Sequence, residues 1–334
     1  MNIRSRYRGV SGARQCESLE RRGLLAATIA TQEIAGSMTA VAADPTRELF
    51  YVLDESYNLV QSFDPATGQT VSTVSAGLSP TAYGSVLAVD PAGHFLYALD
   101  SGGTLSTFSL PTLDRVATVT VSDIGDNTSG SLVATSDQRV YLITRWSNDR
   151  FGMSDQVVEL NPLTGSVVRV VYQADDLDAI DALAMPSDGS ALFVARSNFT
   201  WSMLTRVDLP DNATPVVHDP VYLPDYTYVS EMIADGPSGR LYVDAGDSLF
   251  VHRMSDLTSI TTVSVPASGG IELPVPGANV VYAMGRDTPN TDTGDDQLSA
   301  ISTTAWTSTN VATLVNDNYR YQSSVFGVSQ AGAR

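Results

Sequence analysis

The sequence predicts an all-β chain folded as a β-propeller, of the seven-bladed type with six full blades and an incomplete seventh. Three observations carry that expectation. An aromatic residue returns six times in a similar context, as Leu49-Phe50-Tyr51-Val52, Phe95-Leu96-Tyr97-Ala98, Arg139-Val140-Tyr141-Leu142, Ala191-Leu192-Phe193-Val194, Arg240-Leu241-Tyr242-Val243 and Val280-Val281-Tyr282-Ala283. Counted on the aromatic, the steps are 46, 44, 52, 49 and 40 residues. No segment after Ala35 shows a long 3.6-residue apolar period, so almost no helix is expected there. Self-similar units of about 40–50 residues built from short strands read as propeller blades. A β-sandwich would give units of about 100 residues instead.

Within each repeat the elements follow in a fixed order. A small-apolar strand comes first, as in Met38–Ala43 and Ser85–Val89, and a tight turn follows: Asp44-Pro45, Asp90-Pro91-Ala92-Gly93, Ser187-Asp188-Gly189, Pro237-Ser238-Gly239 or Pro276-Gly277. Pro fixes φ and Gly accepts positive φ, so these pairs reverse the chain sharply. The aromatic strand is second. The third alternates apolar and polar residues, as in Leu59-Val60-Gln61-Ser62-Phe63 and Leu249-Phe250-Val251-His252, the period of a strand with two differently solvated faces. A second turn, Asp64-Pro65-Ala66-Thr67-Gly68 or its near copy Asn161-Pro162-Leu163-Thr164-Gly165, leads into a fourth strand rich in Val and Thr, such as Thr70–Val74 or Arg115–Val121. β-branched residues suit a pleated, half-buried surface.

The ends of the 334-residue chain suggest how the ring closes. Residues 323–334 match a first strand and its turn, and residues 26–36 match a fourth strand. Joining an N-terminal outer strand to C-terminal inner strands would remove exposed edges. Strands two and three of that seventh blade are missing, and the sequence reading favours a native chain that continues past Arg334. Residues 1–25 are read as a separate leader-like segment and 26–334 as one propeller domain.

Charge narrows the partners. All 19 basic residues are Arg, and six of them (Arg4, Arg6, Arg8, Arg14, Arg21, Arg22) lie in residues 1–22. The remainder has 13 Arg against 35 acidic residues, a net of −22. Such a body repels nucleic acid and anionic membrane. The one cysteine, Cys16, lies in the leader-like segment, so no disulfide is expected. No apolar run is long enough for a transmembrane helix.

Glu17-Ser18-Leu19-Glu20-Arg21-Arg22-Gly23-Leu24-Leu25-Ala26 resembles the N-terminal LEPR-XLL motif of planctomycete-type surface proteins through Leu19, Glu20, Arg22, Leu24 and Leu25; Arg21 stands where that family has Pro. The resemblance implies an exported or cell-surface bacterial protein. Arg21-Arg22-Gly23-Leu24-Leu25 can also be read as a twin-arginine export signal, with the same implication. Asp90–Tyr97 and Asp64–Gly68 resemble the repeats of YncE-like and YVTN-type propellers, over about residues 38–334. That likeness implies a fold. Related propellers include sugar-lactone hydrolases, but no catalytic motif carries over from them.

Chemistry-bearing residues are sparse. Without Lys there is no Schiff-base chemistry. His94, His218 and His252 lack the spacing of a zinc set and read as ordinary surface or strand residues. Asp175, Asp176, Asp178 and Asp181, read as the link between blades three and four, are candidate ligand-binding carboxylates or simple linker charge. Trp146 and Trp201, in second-to-third-strand hairpins of blades three and four, are candidate contact aromatics; Tyr222, Tyr226 and Tyr228 read as the link before blade five. Asp287, Asn290, Asp292, Asp295 and Asp296, in an acidic insertion of blade six, could wrap Ca²⁺. No other cofactor is expected. The functional expectation is a non-enzymatic exported binding module with a protein or carbohydrate surface partner. The alternative is a lactonase-like hydrolase using funnel carboxylates.

Overall fold

The structure is a computed structural model. It describes residues 38–314 apart from 66, 80–84, 122–126, 149–151, 176–177, 199, 211–212, 225–227, 266, 274–276 and 287–295. Side chains at 38–39, 127–130, 145–148, 152–154, 267–269, 285–286, 296 and 311–314 are also outside the description. Among the described residues every regular element is a strand.

Six antiparallel blades follow in chain order. Blade one is β1 (Met38–Ala43), β2 (Phe50–Asp54), β3 (Leu59–Asp64) and β4 (Gln69–Ser75). Blade two is β5 (Val86–Val89), β6 (Phe95–Leu99), β7 (Thr104–Ser109) and β8 (Asp114–Thr120). In blade three β9 (Asn127–Ala134) lies against β10 (Val140–Asn148), which pairs with β11 (Gly152–Leu160) and through it β12 (Val167–Gln173). Blade four is β13 (Ala179–Ala184), β14 (Ala191–Ser197), β15 (Ser202–Asp208) and a split outer strand, β16 (Val216–Val217) and β17 (Val221–Tyr222). Blade five is β18 (Val229–Asp235), β19 (Arg240–Ala245), β20 (Ser248–Arg253) and β21 (Ser259–Ser264). Blade six is β22 (Ala267–Glu272), β23 (Val280–Arg286), β24 (Asp296–Ser302) and β25 (Ser308–Leu314).

The six aromatics occupy second strands as expected, and Tyr51, Tyr97, Tyr141, Phe193, Tyr242 and Tyr282 are all buried. The first five each belong to a different apolar cluster, and each cluster is shared between one blade and the next. Tyr51, for example, packs with Leu96, Ala98 and Phe108 of blade two. The core is therefore a series of interleaved blade faces, and the repeated aromatic fills the space between consecutive blades.

The turns before the aromatic strands are held by buried carboxylates. Asp44 accepts hydrogen bonds from the Thr46 and Arg47 amides (2.9 and 3.0 Å) and the Tyr51 hydroxyl (2.8 Å). Asp90 accepts from the Ala92 and Phe95 amides at 2.8 and 2.7 Å. Gly93 in that turn has φ 67°, and a Cβ there would collide with Thr46 of blade one, so both conformation and space require glycine.

Neighbouring blades are also joined by polar side chains. Carboxylates of Glu55, Asp100, Asp155 and Glu231 accept from the Ser85, Ser79, Ile180 and Ile271 amides, at 2.6, 2.7, 2.8 and 2.8 Å. Arginines reach carbonyls the same way: Arg47 to Gly93 (2.9 Å), Arg169 to Ala213 (2.7 Å) and Arg240 to Thr303 (3.0 Å). Much of the acidic charge and the exclusive use of Arg thus have a structural purpose. A planar guanidinium offers several fixed donors where an ammonium offers a point charge.

This order gives each blade two ends. One carries the first-to-second and third-to-fourth strand turns (the turn face). The other carries the second-to-third hairpins and the blade-to-blade links (the link face). First strands of successive blades adjoin from β1 through β5, β9, β13 and β18 to β22; among the described residues no contact of comparable extent joins β22 back to β1.

Two placements differ from the sequence reading. Asp181 is not in the link but within β13, where the register shifts between Ile180 and Ala182. Tyr222 is not in the link before blade five but on β17, paired with Met203 of β15. The outer strand of blade four breaks between Val217 and Val221, across His218-Asp219-Pro220, because Pro has no amide to continue a ladder. The leader-like residues 1–25, the fourth-strand match at 26–36 and the first-strand match at 323–334 lie outside the described residues.

Candidate functional site

On the link face of blade four, the predicted Asp175, Asp178 and Trp201 meet around a residue the sequence reading did not single out, Arg196. Its position follows from local structure. Arg196 is the penultimate residue of β14, and the chain reverses at once: the Asn198 amide donates to the Trp201 carbonyl (3.0 Å), and the Asn198 side-chain oxygen accepts from the Thr200 and Trp201 amides (2.9 and 3.2 Å). Asn commonly organises turns by such bonds. The link ahead of β13 folds over this hairpin.

Arg196 Nη1 lies 2.8 Å from both Asp175 Oδ2 and Asp178 Oδ2. The Asn198 side-chain amide donates to Asp178 Oδ1 at 3.1 Å. Arg196 and Asp178 are buried, whereas the Asp175 side chain is 82% exposed. Burial pushes the Asp178 carboxyl above its ordinary value, opposed by the Asn198 hydrogen bond and the Arg196 charge. Arg196 is also sandwiched, its guanidinium carbon 5.9 Å from the Tyr172 ring centre and 5.8 Å from that of Trp201. Trp201 meets Tyr222 edge to face, with centroids 5.9 Å apart. Tyr222 is 62% exposed and Tyr228, just before β18, 60%.

The cluster therefore consists of an ion pair buried at Arg196 and Asp178 but open to solvent at Asp175, with the half-buried Trp201 and the exposed Tyr222 beside it. Each carboxylate gives one oxygen to Arg196. Asp178 is a buried ion-pair partner, not exposed linker charge. Asp181 stands on β13 beside the cluster, and Asp176 lies outside the described residues. Trp146 is on β10 opposite Ser154, its side chain outside the description. Of the calcium candidates, Asp287, Asn290, Asp292 and Asp295 lie outside the described residues; Asp296 opens β24, opposite Arg286. Among the described residues no three His, Cys, Asp or Glu side chains are grouped to hold a metal ion.

Two carboxyls of the inner strands form a second feature. Glu231 on β18 bonds the Ile271 amide of β22, and the next residue is Glu272. Burial pushes Glu231 up to about 7, and Glu272 well above the usual carboxylate range, where the Glu231 charge adds to the effect. His252, expected to be ordinary, is buried in β20; its Nδ1 lies 2.8 Å from the Leu257 carbonyl and burial lowers its pKa, so the ring is neutral. His218 sits 2.8 Å from Asp208.

No family model and no curated protein matches the chain. Solved structures do. One described as the structure of U3-55K aligns over 90% of this chain and 88% of its own, with a TM-score of 0.61 and 13% identity. Another, of RRP9 WD40 repeats, aligns over 90% and 86%, with a TM-score of 0.61 and 11% identity. At such identity the likeness shows the fold alone, a β-propeller. No helix among the described residues is long and apolar enough to cross a membrane.

Proposed function

We propose that this chain is an exported, non-catalytic binding propeller that engages a surface partner, protein or carbohydrate, on the link face of blades four and five. The observation that carries the reading is the Trp201–Tyr222 pair above the Arg196 ion-pair base. An aromatic left in water but held in one orientation has already lost the entropy that binding would otherwise cost. Trp, Tyr and Arg are also the residues that dominate binding hot spots. Export is supported by the LEPR-XLL-like residues 17–26.

The test places a photo-reactive residue at 222, and separately at Tyr57, which is 69% exposed on blade one. The reading expects one defined adduct from position 222 in the native cell envelope, lost on Trp201→Ala. Equal labelling from both positions would defeat it.

A hydrolase remains the second reading, favoured by the Glu231–Glu272 pair alone, since paired carboxyls with raised pKa suit acid–base work. Lactone turnover abolished by Glu231→Gln would establish it. We further infer a seven-bladed ring with an incomplete seventh blade; the lack of a comparable β22–β1 contact among the described residues supports it. Calcium at 287–296 belongs to the same set of proposals, and a chelator-sensitive thermal midpoint abolished by Asp292→Ala would test it.

A further inference from the structure

Blade five presents an arginine arrangement of the opposite kind on its turn face. β19 and β20 are joined by the two-residue turn Gly246-Asp247, which sets Arg240 directly opposite Arg253. Like charges facing each other across an antiparallel pair repel, and native sheets usually place a carboxylate between them. Here none intervenes. Arg253 is exposed, and its side chain makes no hydrogen bond or ion pair among the described residues. Arg240 uses one Nη1–H on the Thr303 carbonyl (3.0 Å), with its guanidinium carbon 4.9 Å from the Trp306 ring centre and the Tyr242 hydroxyl beneath it. Two carboxylates lie near the pair: Asp256 is electrostatically coupled to Arg253, and Asp235 keeps one buried oxygen without a hydrogen-bond partner among the described residues. Asp256 accepts from Thr258 at 3.0 and 2.7 Å, and Asp235, opposite Arg240 on β18, accepts the Gly277 amide at 2.7 Å.

The two arginines are walls of one cleft of about 440 Å³, completed by Ser238, Gly239, Ser255 and Ile260. The wall at Ser255 is fixed from blade four: Arg206 donates to the Met254 and Ser255 carbonyls at 3.2 and 2.5 Å while its own charge is met by Asp208 at 2.7 Å. Beneath Arg240 the Tyr242 hydroxyl is buried, with the Arg240 and Ser238 side chains as its polar neighbours. The cleft thus gathers two guanidinium groups and two serine side chains. The two guanidinium groups are set in a protein whose body carries a net charge of −22, and the Ser238 hydroxyl already donates to the Asp235 carbonyl at 3.4 Å.

We propose that the cleft between Arg240 and Arg253 binds a tetrahedral oxyanion, a phosphate or sulfate group either free or carried as an ester. Arginine's planar fork matches such oxygens with two parallel hydrogen bonds. An anion between the two guanidinium groups would also relieve the repulsion of the facing pair.

The test is calorimetric titration of the full chain with inorganic phosphate, with sodium chloride at matched ionic strength as the reference. The proposal expects saturable phosphate binding with no chloride counterpart, weakened about tenfold or more by Arg253→Ala and partly retained by Arg253→Lys. Arg253 is exposed, so its loss leaves the fold intact; Arg139→Ala, on the turn face of blade three, should bind as the parent does. A phosphate or sulfate monoester that binds more tightly than inorganic phosphate identifies a carried group, and equal affinity identifies the free ion. Phosphate heats no different from chloride, or an unchanged affinity in Arg253→Ala, would overturn it.

Discussion

Arg196 on blade four and the Arg240–Arg253 pair on blade five are neighbours in sequence space but opposites in chemistry. Arg196 is 7% exposed, and two carboxylates and two aromatic rings surround it. Its Nε is buried without a partner among the described residues, yet its charge is neutralised. The Arg240–Arg253 pair lines an open cleft and has no ion-pair partner among the described residues. The difference teaches what an arginine in a propeller can be for. A neutralised one is architecture and holds the surface above it, whereas a pair left facing one another is a place for something else to bind.

The sharpest way to break the comparison is at Arg196. Arg196→Met leaves Asp178 buried and unpaired, and should cost about 3–5 kcal/mol of stability in urea denaturation. Adding Asp178→Asn should recover much of that loss; a cost below about 1 kcal/mol would show that the pair is not buried in solution.

The inner-strand carboxyls come next. Because the folded-state pKa of Glu231 is raised to about 7, the folded chain holds a proton that the unfolded chain gives up first. Stability from this group is fully present below the unfolded value of about 4.3 and is lost as pH rises through about 7. Glu231→Gln should flatten that fall, gaining about 1–3 kcal/mol above pH 7, while keeping an oxygen for the Ile271 amide. Stability that instead rises over this window in the parent, with no change in the variant, would contradict the assignment.

Smaller effects sharpen the blade-five side. Arg253→Ser removes a facing like charge and should stabilise by a few tenths of a kcal/mol at low salt, about 0.2–0.5, vanishing as salt screens the pair. Tyr222→Ala, on an exposed ring, should shift stability by less than about 0.5 kcal/mol in urea denaturation. A large loss would mean that Tyr222 is a packing residue.

Most of the fold was legible in the sequence because one residue per blade, the buried aromatic, must fill the same inter-blade space each time, and turns with Pro and Gly announce themselves locally. Half of the blade-four site was legible too: Asp175, Asp178 and Trp201 stood out as unusual loop residues. Arg196 did not, because it lies in a strand that reads as ordinary, and only the fold brings the link ahead of β13 back over it. Asp181 and Tyr222 were misplaced by a bulge and by a broken outer strand, neither of which has a strong sequence signal. The Arg240–Arg253 pair had a usable one. The two-residue turn at Gly246-Asp247 fixes hairpin register, and counting outward from it sets the two arginines opposite each other.

The contrast between the two arginine sites can be read directly from the side-chain Nε–H resonances of Arg196, Arg240 and Arg253 in a phosphate titration at constant ionic strength. The account predicts that Arg240 and Arg253 move together along one saturating curve while Arg196 stays fixed. Movement of Arg196 with the same midpoint, or no saturable movement of Arg253, would contradict it.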